Sequence, residues 1–213
     1  EFRRVLFRSA EDFVAIDLIE RVRNVQRYSF QRPFSEVYRL TPGCHAWRND
    51  VRISTKRLTC ERFEIPRLLP RRVAYPRYDV FQPTCVHSQG NFVRGELPDK
   101  PWRDRSLTNI SPILKGFKQE ELAWIPSLEY QRFQFSLRET ARVYQPQELL
   151  LLRTGDAITL DLGMNRTGFL GFTVQVRKPT RLMIAIDEVL GDDGSINIGR
   201  IDATYIPSWD LQP

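Results

Sequence analysis

Residues 158–202, "ITLDLGMNRTGFLGFTVQVRKPTRLMIAIDEVLGDDGSINIGRID", decide how the chain is read. Ile158, Leu160 and Leu162 alternate with Thr159 and Asp161. Leu170, Phe172, Val174 and Val176 alternate with Gly171, Thr173 and Gln175, and Leu182, Ile184 and Ile186 alternate with Met183, Ala185 and Asp187. Successive strand side chains point to opposite faces, so a period of two puts each apolar set on one face and leaves the other wet. That is the habit of antiparallel sheets. The connections are short: Arg153-Thr154-Gly155-Asp156, Lys178-Pro179-Thr180 and Gly191-Asp192-Asp193-Gly194-Ser195. Strands in sequence with turns this tight predict a meander, and an Asp-Gly step suits backbone with positive φ. Glu188 continues the parity of Ile186, so it is expected to point inward and to need Arg or backbone N–H partners. Gly171 is expected to leave room on the sheet face for a neighbouring side chain.

The same alternation extends outward. Val14, Ile16 and Leu18 form one set, and Phe133, Phe135 and Leu137 another. Helical periodicity is weak and confined to a turn or two at 118–123. The pattern predicts an all-β fold, an antiparallel β-sandwich of jelly-roll type. Pro66, Pro70, Pro76 and Pro83 punctuate an Arg-rich stretch, and proline removes ladder donors, so 66–83 reads as a connector. Residues 10–65 are then expected to be the C-terminal remnant of an upstream β domain, and 84–213 the β-sandwich domain.

The formal charge of +6 comes from 32 basic and 26 acidic residues, and 27 of the basic ones are Arg. Residues 1–9, "EFRRVLFRS", resemble the translation of a common sequencing adapter over all nine codons. Setting them aside removes three Arg and one Glu, leaving 29 basic and 25 acidic residues and a charge of +4. Acids and bases are interspersed, whereas nucleic-acid binders concentrate positive charge on a face or arm, so no nucleic-acid partner is expected. No apolar run approaches the ~18 residues of a membrane span, and no membrane partner is expected.

The segment 155–205 is similar to the β-sandwich modules that precede the catalytic domain of bacterial α-L-rhamnosidases of glycoside hydrolase family 78. The matching features are Asp161-Leu162-Gly163, Thr167-Gly168-Phe169, Asp187-Glu188-Val189-Leu190, Asp193-Gly194 and Arg200. Thinner likeness extends to "RYSFQRPFSEVYRL" (27–40) and "RRVAYPRYDVF" (71–81). The resemblance implies a parent that removes terminal α-L-rhamnose with inversion, using two carboxylates with room for a water between them, in an (α/α)6 barrel. In the family those carboxylates lie downstream of this segment, so no catalytic residue carries over, and Asp187 and Glu188 belong to a structural motif. No cofactor is implied. The expected partner is the parent's own catalytic domain, and the chain is expected to be a fragment that lacks it. Neither a secreted nor an intracellular compartment is favoured.

The alternative is a stand-alone carbohydrate-binding module, since aromatic faces pack on the C–H faces of pyranoses. Trp47, Trp102, Trp124 and Trp209, with Tyr75 and Tyr78, are the candidate platforms, although packing in a core or interface is the commoner use. Asp192-Asp193 invites comparison with lectin-like calcium sites, but a turn uses Asp and Gly for backbone reasons alone. Cys44, Cys60 and Cys85, with His45 and His87 nearby, lack metal-site spacing. Asn109 and Asn165 head glycosylation-type triplets that a bacterial origin makes coincidental. Ser/His/Asp chemistry finds no G-x-S-x-G elbow, and no phosphate-binding Gly loop is present.

Overall fold

The computed structural model describes residues 15–26, 35–49, 57–58, 72–74, 79–101, 117–192, 194–196, 198 and 205–213. Within them the chain is all-β. Strands β1 (Ala15–Ile16) and β3 (Arg57–Leu58) pair antiparallel over two residues. A second sheet runs β2 (Val37–Leu40), β8 (Ser208–Leu211), β7 (Thr180–Met183). A third, fully antiparallel, runs β5 (Phe133–Val143), β4 (Cys85–Arg94), β6 (Asp156–Asp161).

The longest ladder forms where the alternation is cleanest. Phe133, Phe135 and Leu137 are half-buried on β5 while Gln134, Ser136 and Arg138 are exposed. Phe92 of β4 lies opposite Phe135 in the register, and its ring sits 4.5 Å from Phe133 and 5.9 Å from Phe135. Aromatic pairs at such separations add to the burial of the face they cover. Gly90, at the middle of β4, is required by close approach: a Cβ there would meet the Ser136 carbonyl oxygen at 2.0 Å.

The expected strand at 182–186 forms in part. Thr180–Met183 pairs with Ser208–Leu211, and the hydrogen bonding continues through Ile184 N–H to Pro207 O (3.1 Å) and the Ile186–Tyr205 pair (2.9 Å each way). The acidic turn forms as well. Leu190 and Ile196 bridge across it, and Gly194 adopts φ 75°, which L side chains avoid.

Three local expectations fail. The run Leu170–Val176 makes no strand, although β6 and β7 on either side of it each keep one edge open in their sheets. The predicted meander is therefore absent: consecutive alternating segments go to different sheets. Gly171 has nothing within 4 Å of its would-be Cβ, so it makes room for no neighbour. Glu188 is exposed and not inward. Asp187 accepts the N–H of Glu188 (2.6 Å) and of Val189 (3.3 Å), and this side-chain turn ends the alternation before Glu188. The Glu188 carboxylate accepts instead from Asn165 Nδ2 at 2.9 Å.

Among the named strands of the described residues, the antiparallel expectation has one exception. β2, from the segment expected to be an upstream remnant, pairs parallel with β8, from the second segment, in the register Val37–Ser208 to Leu40–Leu211. Val25 bridges Trp124 nearby, and Val25, Val37 and Trp124 form a small buried cluster with Val22 against it. A second cluster joins Ile198 and Ile206 to Tyr130, Met183 and Ala185. Tyr130 closes the short helix α1 (Pro126–Tyr130), and its ring also lies 5.3 Å from Phe135. So α1 touches both larger sheets. Proline at its first position is preset for a helix start.

Residues 72–74 and 79–83 of the expected connector carry no strand, and 66–71 and 75–78 lie outside the described residues, as do 1–14. Gln119–Glu121 makes a single 3-10 turn where a short helix was expected.

Candidate functional site

The densest polar constellation is built around Trp124. The residue is 6% exposed, and its indole Nε1 donates to Glu129 Oε2 at 2.7 Å. Glu129 is on α1, one turn past the proline. The Arg181 guanidinium, from β7, covers the indole face with its carbon 3.6 Å from the ring centroid. The same guanidinium donates from Nη1 to both Glu129 oxygens (2.9 and 3.0 Å). It also donates from Nε to Asp210 Oδ1 (2.8 Å) and from Nη2 to Asp210 Oδ2 (3.1 Å). Partial burial opposes the charge on Arg181, but the hydrogen bonds it donates to Asp210 and Glu129 outweigh that and raise its pKa. A planar fork satisfied on three edges is what arginine supplies and lysine does not.

Beside this knot lies a cleft of about 270 Å³, lined by Arg39, Arg94, Arg132 and Arg181 together with Trp124 and Glu129. A second hollow, of about 520 Å³, is walled by Tyr130, Phe133 and Phe135, with Gln131, Gln134 and Ser195 at its polar side. It opens between the aromatic face of β5 and the turn 191–196.

Of the tryptophans singled out in the sequence, Trp124 is a packing residue whose face is already occupied by Arg181. Trp209, on β8, is half-buried with Phe172 edge-on at 5.0 Å. Trp47 is half-buried on a 3-10 turn, Ala46–Arg48, beside the Arg48 guanidinium at 5.7 Å. Trp102, Tyr75 and Tyr78 lie outside the described residues, as do Asp193, Asn109 and Cys60. Asp192 is exposed in its turn. Cys44 and Cys85 are free and half-buried. Among the described residues no group of three or more His, Cys, Asp or Glu is placed to hold a metal ion, and no helix is long and apolar enough to cross a membrane.

Sequence reasoning picked out Trp124 alone from the cleft. Arg39, Arg94, Arg132 and Arg181 carry no local motif and come from β2, β4, the turn between α1 and β5, and β7, so only tertiary pairing assembles them. Tyr130, Phe133 and Phe135 had a signal, the aromatic alternation of 133–135, which reads equally well as core. Among the described residues, Glu129 is the one carboxylate lining either hollow, and it is engaged by Arg181. Comparison of the chain with protein-family models, curated proteins and solved structures finds no match.

Proposed function

We propose that this chain is a non-catalytic accessory β region of a rhamnosidase-like glycoside hydrolase, whose parent removes terminal α-L-rhamnose. In this reading it packs against an (α/α)6 catalytic barrel of that parent. One observation carries the packing role: the exposed apolar surface of the segment after β6. Phe169 is 92% exposed, Met164 63%, and Leu170, Phe172 and Val174 are each 44–50% exposed. Monomeric domains seldom leave so much contiguous apolar chain in water, and a surface of this kind marks an interaction face. The segment also forms no ladder with any described strand. It overlaps the Asp161–Phe169 part of the family-like motif.

Two measurements test this. The isolated chain should leave an aryl α-L-rhamnoside unhydrolysed; turnover would place catalysis inside it and sink the proposal. Sequencing the genomic DNA that flanks this coding segment should reveal an in-frame region rich in paired helices. Co-expressed with that region, the chain should co-purify, and Phe169→Ser with Phe172→Ser should weaken the association. A flanking frame without such helices would overturn the assignment.

A second reading, a carbohydrate-binding module, is favoured by the hollow at Tyr130, Phe133 and Phe135, where aromatic walls meet amide and hydroxyl side chains. Calorimetric titration with neutral glycosides separates the two. Saturable binding that is lost in Phe133→Ala supports a sugar site, and flat titrations across rhamnosides and plant polysaccharides exclude it.

A further inference from the structure

The cleft beside Trp124 gathers charge of one sign. Four guanidiniums, those of Arg39, Arg94, Arg132 and Arg181, line a single cavity of about 270 Å³. One carboxylate, Glu129, shares that lining, and both it and the neighbouring Asp210 are engaged by Arg181. Strand register explains why. Arg39, Asp210 and Arg181 are lateral neighbours across β2, β8 and β7, so two arginines flank one aspartate on the same face of the sheet. Arg181 captures both Asp210 oxygens, and the Trp124 indole together with Arg181 captures Glu129. Among the described residues, no ion pair or side-chain hydrogen bond engages Arg39, Arg94 or Arg132.

Like charges converging on one concavity repel, and the arrangement is relieved by an anion between them. Guanidinium forks match carboxylate and phosphate oxygens in pairs, and they shed hydration more readily than ammonium groups do. The face of Trp124 is covered by Arg181, so the cleft offers a charged wall and no open aromatic platform. We propose that this cleft is a binding site for a small oxyanion bearing two or more acidic groups, a di- or tricarboxylate or a condensed phosphate. Arg39, Arg94 and Arg132 contact the ligand, and Arg181, fixed by Glu129 and Asp210, forms the back wall. This site is independent of the accessory-domain reading and of the aromatic hollow.

The test is calorimetric titration of the full chain with citrate and with pyrophosphate, against acetate and sodium chloride at matched ionic strength. The proposal expects one saturable site for citrate or pyrophosphate, with acetate much weaker. Tighter citrate binding assigns the site to carboxylates, and tighter pyrophosphate binding assigns it to phosphates. The pair Arg39→Gln and Arg132→Gln should weaken binding at least about tenfold, the scale of a lost charge-assisted hydrogen bond, with the circular dichroism spectrum unchanged. If that pair does not fold, Arg94→Gln, at the exposed end of β4, serves in its place. Arg138→Gln, on the exposed side of β5, should bind as the parent does. Heats that only follow ionic strength overturn the proposal. So does affinity that survives loss of the cleft arginines, or falls equally with Arg138→Gln.

Discussion

Arg181 and Asp210 face each other across the β7–β8 ladder and are joined by two parallel hydrogen bonds, of 2.8 and 3.1 Å. The same arginine reaches across to Glu129 on α1, so one side chain ties a sheet to the helix that contacts the other sheet. Replacing it removes a bidentate pair, a second pair and the cover over Trp124. With its side chain 42% exposed, solvent screens part of that loss, and Arg181→Ala is expected to cost about 1–2 kcal/mol. Arg181→Lys should recover little of it, since an ammonium cannot satisfy three edges at once. Urea unfolding of both variants checks this; a lysine variant as stable as the parent would contradict the fork argument.

Gln26 joins the N-terminal part of the described chain to α1. It is fully buried, and its Oε1 accepts from the backbone N–H (3.2 Å) and hydroxyl (2.8 Å) of Ser127, itself fully buried. Gln26→Met keeps the volume but leaves both Ser127 donors without that acceptor. The expected loss is about 1–3 kcal/mol, the range for stranding buried polar groups. Gln26→Met combined with Ser127→Ala should cost less than the sum of the two single changes, which a double-mutant cycle reads directly.

At Gly90 the limit is steric. The Ser136 carbonyl would lie 2.0 Å from an added Cβ, and backbone in a ten-residue strand cannot yield that far without parting from β5. Gly90→Ala is therefore expected to destabilise by at least about 2 kcal/mol. Gly171→Ala, with open space around it, should be neutral. Equal melting temperatures for the two variants would refute the contrast.

Two tyrosines set the alkaline limit of the fold. Burial raises the pKa of Tyr205 most strongly, and the Glu36 carboxylate adds to it. Tyr38 is raised first by burial and then by Glu36, against the opposing charges of Arg21 and Arg48. In both cases the folded state holds its phenolic proton more tightly than the unfolded chain, whose tyrosines titrate near ~10. Their stabilisation is thus intact below pH ~10 and is lost as the pH rises above it. Tyr38 and Tyr205 should ionise late in an absorbance titration of the folded protein. Tyr205→Phe should flatten the fall in stability above pH ~10. Simultaneous ionisation of all seven tyrosines in the folded protein would contradict this.

Alternation in the sequence was enough to place strand at 133–137, over most of 158–162 and at the start of 182–186, and to place the turns at Gly155 and Gly194, because a period of two and a positive φ are properties of a few adjacent residues. It also established the all-β class. What alternation cannot name is the neighbour. Leu170–Val176 has as clean a pattern as Phe133–Leu137, yet it joins neither sheet, and β6 and β7 on either side of it go to different sheets. The parallel joining of Val37–Leu40 to Ser208–Leu211 brings together residues some 170 positions apart, and no local signal announces it. That pairing puts Arg39 beside Asp210, and the β7–β8 pairing puts Arg181 on its other side. The arginine cleft therefore belongs wholly to the tertiary structure: each residue's face is set by its own strand, but which charges share a cavity is set by hydrogen-bonded ladders between distant segments.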